Sequence, residues 1–216
     1  MSIFTTDIVE YAQLAHRVLC DEPPPDEIDA ICFFGQTEEN DMFALRAIAK
    51  RWQKHQCLVL VGTCERIERG GLIVRGSDAW VSTLEELGVH PGSILVYPMS
   101  DKLPPSTDAE ALGMVEAIRE NSWTRFVIVV PPLHAIRAFV SLVSACVKSG
   151  LDVAIWSAPA TAPAWDEDVF HSGSMPSAPR VDQIAGEFGK IMAYCAKGDH
   201  LTAAEILKWL SNHPGT

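Results

Sequence analysis

Residues 125–148 read RFVIVVPPLHAIRAFVSLVSACVK, an apolar run that ends in two prolines and continues with apolar residues at helical spacing. The first part, residues 125–130, is rich in β-branched and aromatic side chains and does not alternate with polar ones. Such a run is typical of a strand buried on both faces of a parallel sheet. The second part, residues 133–148, predicts the helix that follows this strand. Together they predict one strand and helix unit of an α/β fold.

The same alternation of short apolar runs and helical segments continues on both sides of this unit. Strands separated by single helices imply crossover connections, which build a doubly wound parallel sheet covered by helices. The sequence therefore predicts an α/β fold of the Rossmann-like three-layer α/β/α type, with about five central parallel strands. The predicted strands are residues 28–34, 57–61, 93–96, 125–130 and 152–156, and the predicted helices between them are residues 41–54, 77–87, 106–121 and 133–148.

Segments outside this core are predicted to add helices to a single domain that spans residues 1–216. The segment after the last strand is rich in Pro, Ser and Ala, a composition typical of a long loop that covers a site. The ranges are residues 1–25 with a helix over 7–20, the core over 28–156, and residues 157–216 with the loop over 157–179 and helices over 181–196 and 202–211.

The composition argues against several classes of protein. A formal net charge of −11 and a pI near 5.0 disfavour nucleic acid as a partner, because such binding depends on clustered Lys and Arg. Asp7 and Glu10 are untypical of an export signal, and no run approaches the roughly 20 apolar residues of a membrane span. We therefore expect a soluble, cytoplasmic protein with neither a nucleic acid nor a membrane as partner. Its oligomeric state stays open.

The six cysteines show no C-x-x-C spacing, so no metal site is predicted. Cys64 follows a predicted strand and has Glu65 and Arg66 beside it. It is either a plain exposed thiol or a nucleophile whose pKa the neighbouring cation lowers.

The loops that follow the predicted strands form the expected ligand-binding region, because ligands of open parallel sheets bind at the carboxyl ends of the strands. Glycines in these loops allow a phosphate to approach the backbone closely. No G-x-G-x-x-G or Walker pattern is present, so neither NAD nor ATP is expected. The candidate ligand-binding residues in these loops are Gly35, Gln36, Gly62, Thr63, Ser100 and Asp101.

His134 and Arg137 stand at the start of the helix that follows the fourth predicted strand. Because they are three residues apart, they share one face of the helix, near an N-terminus that favours anions. Arg binds phosphate or carboxylate with two hydrogen bonds, and His can donate or accept a proton near neutral pH. We predict that Arg137 serves a ligand more than the fold. The alternative is that Arg137 forms a structural ion pair and that His134 caps a turn.

Thr107 and Glu110 open another predicted helix with the spacing of a capping box, in which the two residues satisfy backbone N–H groups. Capping alone would explain this pattern. The other interpretation, that both residues bind a ligand, comes from a resemblance to a known family.

The segment VPPLHAIRA, residues 130–138, resembles the V-T-S-x-x-H-x-x-R-A motif of the ElyC/SanA/YdcF family, with Pro131 and Pro132 in place of the hydroxyl pair. Other segments are similar to this family in the same order along the chain, over roughly residues 28–156. They are Gly35 with Arg46, Ser77-Asp78-Ala79 for S-E-A, Thr107-Asp108-Ala109-Glu110-Ala111 for T-x-E-N-A, and a tail with Glu187, Lys190 and Tyr194.

The absence of a membrane segment makes the soluble YdcF-like branch the closer comparison. The resemblance implies a Rossmann-like domain that binds a nucleotide-like ligand such as S-adenosylmethionine, and it adds Arg46, Thr107 and Glu110 to the candidate ligand-binding residues. It implies no particular reaction.

Two functions from different classes remain. The first is an enzyme, a hydrolase or transferase acting on an anionic, nucleotide-like metabolite such as S-adenosylmethionine, a nucleotide or a sugar phosphate. In it Arg137 holds the anion, His134 is the acid or base, and Asp78 or Asp101 is the partner carboxylate of His134. The second is a non-catalytic module that senses such a metabolite with the same residues. Measurable turnover would favour the first, and tight binding without product would favour the second.

Overall fold

The computed structural model describes residues 4–20, 26–55, 57–62, 64–69, 71–99, 103, 106–161, 164–170 and 177–213. The strands are β1 Ala30–Phe33, β2 Leu58–Gly62, β3 Ile67–Arg69, β4 Leu72–Val74, β5 Ile94–Tyr97, β6 Arg125–Ile128, β7 Ala154–Ser157, β8 Asp168–Val169 and β9 Ala178–Pro179. The α-helices are α1 Phe4–Cys20, α2 Glu38–His55, α3 Ser77–Glu86, α4 Thr107–Asn121, α5 Pro132–Lys148, α6 Arg180–Lys197 and α7 Ala203–Asn212.

The central sheet confirms the predicted architecture: it has five parallel strands in the order β5-β2-β1-β6-β7. Ile31 in the central strand pairs with Val59 on one side and with Val127 on the other. The chain moves outward from β1 to β2 and β5, and then returns across the sheet to β6 and β7. The strand order therefore reverses between β1 and β6, and the carboxyl ends of these two strands mark the point where ligands of such sheets bind.

Both faces of the sheet are buried, which explains why its strands lack alternation. Along β1, Ile31 and Phe33 contact the apolar core under α2 and α3. Cys32, between them, contacts the core under α4 and α5, to which α1, α6 and α7 also contribute. In the described part of the chain no helix combines the length and the apolar character needed to cross a membrane.

Two small antiparallel pairs were not predicted. The pair β3–β4 forms a hairpin directly after β2, and Gly71 at its turn has a φ of 91°, a backbone conformation that glycine adopts without strain. The pair β8–β9 lies within the predicted loop over residues 157–179. Both pairs have strands of two or three residues, too short for a periodic pattern to reveal.

Candidate functional site

Glu110 connects the carboxyl ends of β1 and β2. The N–H of Gly35, which follows β1, donates a hydrogen bond of 2.7 Å to Glu110 Oε1. A Cβ on Gly35 would lie 2.7 Å from Cη2 of Trp80, and a Cβ on Gly62 would lie 3.4 Å from the Tyr97 hydroxyl and 3.5 Å from Cγ of Glu110. Because neither glycine has a side chain, Trp80, Tyr97 and Glu110 can occupy the space beside them.

Burial raises the pKa of Glu110 to about 7, although the Gly35 N–H and the positive charge of Arg137 act to lower it. A carboxyl group with this pKa can donate or accept a proton near neutral pH. The capping-box interpretation of Thr107 and Glu110 is wrong: Ser106 caps α4 by accepting the Ala109 N–H at 3.2 Å, and Glu110 binds Gly35 instead.

Arg137 and His134 lie on the same face of α5, and the distance from Arg137 Nη2 to His134 Nδ1 is 3.0 Å. Arg137 Nη1 donates to the hydroxyl of Thr107 at the start of α4. Arg137 Nε donates to Glu187 Oε2 at 2.6 Å, and both side chains are buried. The structure thus brings together Thr107, His134 and Arg137 from the predicted site. The contact between Arg137 and Glu187 is a structural ion pair of the kind that the alternative interpretation of Arg137 expected.

Glu187, on α6, is the residue that sequence reasoning missed. Its Oε2 lies 3.7 Å from His134 Nδ1, and its Oε1 accepts a hydrogen bond of 2.9 Å from Lys190 Nζ. The only sequence signal for it was the family-like tail with Glu187 and Lys190, to which no role was assigned. Arg137 and Lys190 thus supply two positive charges against the negative charge of Glu187, with Glu110 nearby. We name this group of Thr107, Glu110, His134, Arg137, Glu187 and Lys190 the switch-point cluster.

The other predicted site residues lie outside this cluster or outside the described residues. Gln36 is buried, and its side-chain amide donates to the backbone oxygen of Phe34 at 3.1 Å. Arg46 is exposed on α2, and Asp78 is exposed in the first turn of α3. Among the described contacts none joins Asp78 to His134. Thr63, Ser100 and Asp101 lie outside the described residues.

The surroundings of Cys64 do not activate its thiol as a nucleophile. Burial raises the pKa of its thiol to about 11, and the charges of Glu110 and Glu65 act in the same direction. The described residues contain no group of three or more His, Cys, Asp and Glu side chains that could hold a metal ion.

Part of the segment after β7 covers the amino end of α2. The Thr37 hydroxyl, just after β1, donates to the Phe170 backbone oxygen at 3.1 Å. Arg180 at the start of α6 is buried, and it donates to the backbone oxygen of Ala164, to Glu167 and to the Asn40 side chain. Arg180 therefore fastens the described residues 164–167 to α2, beside the carboxyl end of β1.

Comparisons of this chain with protein-family models, with curated proteins and with solved structures find no match. The class that the fold defines is a doubly wound α/β protein with a polar cluster at its switch point. The resemblance to the ElyC/SanA/YdcF family stays a prediction.

Proposed function

We propose that this protein binds a small nucleotide-like metabolite, of the S-adenosylmethionine, nucleotide or sugar phosphate class, through its anionic carboxylate or phosphate group at the carboxyl edge of its sheet. The observation that supports this proposal is the charge of the switch-point cluster. Arg137 and Lys190 face one carboxylate, Glu187, while Glu110 has a pKa near neutrality. Two basic side chains at the point where the strand order reverses supply charge-assisted N–H donors of the kind that bind phosphate or carboxylate.

The position of the cluster supports the same ligand class. It lies where the strand order reverses, beside the first turns of α4 and α5, and unpaired N–H groups at helix amino ends favour phosphate or carboxylate. The resemblance to the YdcF-like branch favours a nucleotide-like body for the anion.

Binding can be tested by calorimetry with adenosine 5′-monophosphate, S-adenosylmethionine and ribose 5-phosphate. We expect at least one of these probes to bind, and we expect Arg137→Met to weaken it about tenfold or more, since a charge-assisted contact is lost. Arg125→Met is the matched control, because Arg125 begins β6 at the opposite edge of the sheet and pairs with the exposed Glu27. Equal weakening by both variants, or no binding of any probe, would contradict the proposal.

A sensing function is the second candidate, and the Arg137–Glu187 ion pair favours it. Because Glu187 belongs to α6, an anion that competes for Arg137 would loosen one attachment of this helix to α5. Binding would then change the exposure of α6.

Two measurements on the probe that binds separate sensing from catalysis. A sensor leaves the probe intact by mass spectrometry and shows faster amide hydrogen exchange in α6. An enzyme converts the probe, and the conversion is lost in His134→Asn or Glu110→Gln, which remove a proton-transfer group. An intact probe together with unchanged exchange in α6 would contradict both functions.

A further inference from the structure

A second polar site lies beside the switch-point cluster, in a cavity of about 600 Å³ between α4 and α5 that the end of α6 closes on one side. Leu112, Ala145 and Tyr194 supply apolar walls, and Asp108, Ser141 and His200 supply polar groups. A cavity of this volume is within the range that holds small organic ligands.

The three polar groups meet at one oxygen of Asp108. Its Oδ1 accepts hydrogen bonds from Ser141 Oγ at 2.8 Å and from His200 Nε2 at 2.7 Å. This is not the arrangement of a hydrolytic triad, in which His accepts the proton of Ser. Ser141 Oγ also lies 3.3 Å from His200 Nε2. Both Ser141 and His200 donate to the carboxylate, so Nε2 already carries its hydrogen and cannot take the proton of Ser141.

His200 leaves one hydrogen-bonding atom unsatisfied. Its side chain is only 2% exposed, and its Nδ1 has no hydrogen-bond partner among the described residues. Because Nε2 faces a carboxylate oxygen, we assign the hydrogen of the neutral ring to Nε2, and Nδ1 is then an acceptor. A buried acceptor without a donor is costly, and an N–H group of a ligand would satisfy it. Because Nδ1 points away from Asp108, that donor would be a different group from one bound at Asp108.

Two acidic residues, Asp108 and Asp199, and one basic residue, Lys148, line the cavity. Partial burial acts to raise the pKa of Asp108, but the hydrogen bonds and charges of His200 and its neighbours outweigh burial, so this pKa is lower than usual. The side chain keeps 20% exposure. The Lys148 ammonium does not neutralise Asp108 directly, because it donates to the backbone oxygens of Gly198 and Asp199 at 2.6 and 2.5 Å.

We propose that this cavity binds a small organic amine, with the ammonium group at Asp108 and the apolar body against Leu112, Ala145 and Tyr194. An ammonium group donates hydrogen bonds to the carboxylate and compensates its charge. The Tyr194 ring, which already has the Lys197 ammonium 5.6 Å from its centre, supplies an apolar wall. None of the six residues of the switch-point cluster lines this cavity.

Binding of n-butylamine, followed by NMR titration at mildly alkaline pH, tests the charge requirement, because an alkylammonium group such as that of lysine stays charged there. We expect butylamine to shift the resonances of Tyr194 and His200 and to bind at least about tenfold more tightly than butan-1-ol or butyrate. Asp108→Asn, which keeps the shape and the acceptor oxygen, should lose that preference. Glu116→Gln is the control, because Glu116 is an exposed carboxylate on the same helix. Equal binding of butylamine and butan-1-ol would overturn the proposal.

A second variant keeps the test decisive if Asp108→Asn does not fold. Ala145→Leu fills part of the cavity and leaves Asp108, Ser141 and His200 in place, so it should weaken butylamine binding about tenfold by excluding the apolar body. Unchanged butylamine binding in Ala145→Leu would place the amine elsewhere on the surface and overturn the assignment.

Discussion

The guanidinium of Arg137 lies 2.6 Å from the carboxylate of Glu187, and this buried ion pair joins α5 to α6. The sequence favoured a ligand role for Arg137, because it placed this residue near the amino end of a helix, where the helix dipole favours anions. The helix begins at Pro132, which puts Arg137 in the second turn, where the dipole acts less strongly. Arg137 therefore has a structural partner, and removing it affects the fold as well as any ligand.

Replacing Arg137 by Met should lower the free energy of unfolding by about 3 kcal/mol, because Glu187 is left buried with one fewer cation. Urea unfolding measures this loss. The double variant Arg137→Met with Glu187→Leu should lose less than the sum of the two single variants, since it removes both charges. Additive losses would show that the two residues do not interact energetically, contrary to the 2.6 Å contact.

The pKa of Glu110 predicts that stability falls as pH rises. The folded protein keeps the Glu110 proton up to about pH 7, whereas the free carboxyl group loses it near 4.5, so unfolding releases a proton between these values. The free energy of unfolding should therefore decrease across this window, by up to about 3 kcal/mol from this group, and stay level above it.

Glu110→Gln should remove this pH-dependent loss, because an amide keeps an oxygen for the Gly35 N–H and does not titrate. Urea unfolding at several pH values between 4.5 and 8 measures it. Glu116→Gln, an exposed change on the same helix, should leave the parent's profile unaltered. If Glu110→Gln has the parent's profile, Glu110 is ionised in the folded protein.

The sequence predicted the central sheet because burial on both faces leaves a strong signal. The expected strand over residues 125–130 corresponds to β6 Arg125–Ile128, and its helix over residues 133–148 corresponds to α5 Pro132–Lys148. The hairpin β3–β4 was missed because its six strand residues carry no extended apolar run, with Glu68 and Arg69 among them. A strand or helix that buries a large apolar surface has a clear sequence pattern, whereas a short element that buries little has none.

The sequence could predict only those contacts of the site that form between residues close together in the chain. The spacing of His134 and Arg137 was enough to place them on one face of a helix, where they lie 3.0 Å apart. Glu187 stands 50 residues beyond Arg137, and no local pattern connects them. The pKa of Glu110 could not be foreseen either, because it depends on burial that the chain creates only when α4 packs beside the ends of β1 and β2.

Gly35→Ala should destabilise the protein by about 1 to 3 kcal/mol, because the new methyl group would lie 2.7 Å from the ring of the fully buried Trp80. Gly189→Ala is the matched control: no atom lies within 4 Å of its added Cβ, and alanine favours the helix. Gly189→Ala should therefore be neutral or stabilising by up to about 1 kcal/mol. Thermal unfolding of both variants measures the contrast, and equal melting temperatures would show that the Trp80 ring moves aside freely.

Arg180→Met should release the segment that Arg180 fastens to α2. The guanidinium donates to the Asn40 side chain, to the Ala164 backbone oxygen and to Glu167 at 3.0, 2.6 and 2.6 Å, and Met can replace none of these bonds. Loss of the donors leaves the buried Asn40 oxygen without this hydrogen bond, a cost of about 1 to 3 kcal/mol. Because the central sheet does not depend on these bonds, the effect should be local.

Hydrogen exchange of Arg180→Met should therefore be faster in residues 164–170 and in the first turn of α2, with the amides of β1 and β6 unchanged. Arg119→Met is the control, because Arg119 is exposed and makes a single 3.3 Å hydrogen bond to the Ser149 backbone oxygen. A uniform increase in exchange across the sheet would mean that Arg180 supports the whole domain. Unchanged exchange in residues 164–170 would mean that other contacts hold this segment against α2.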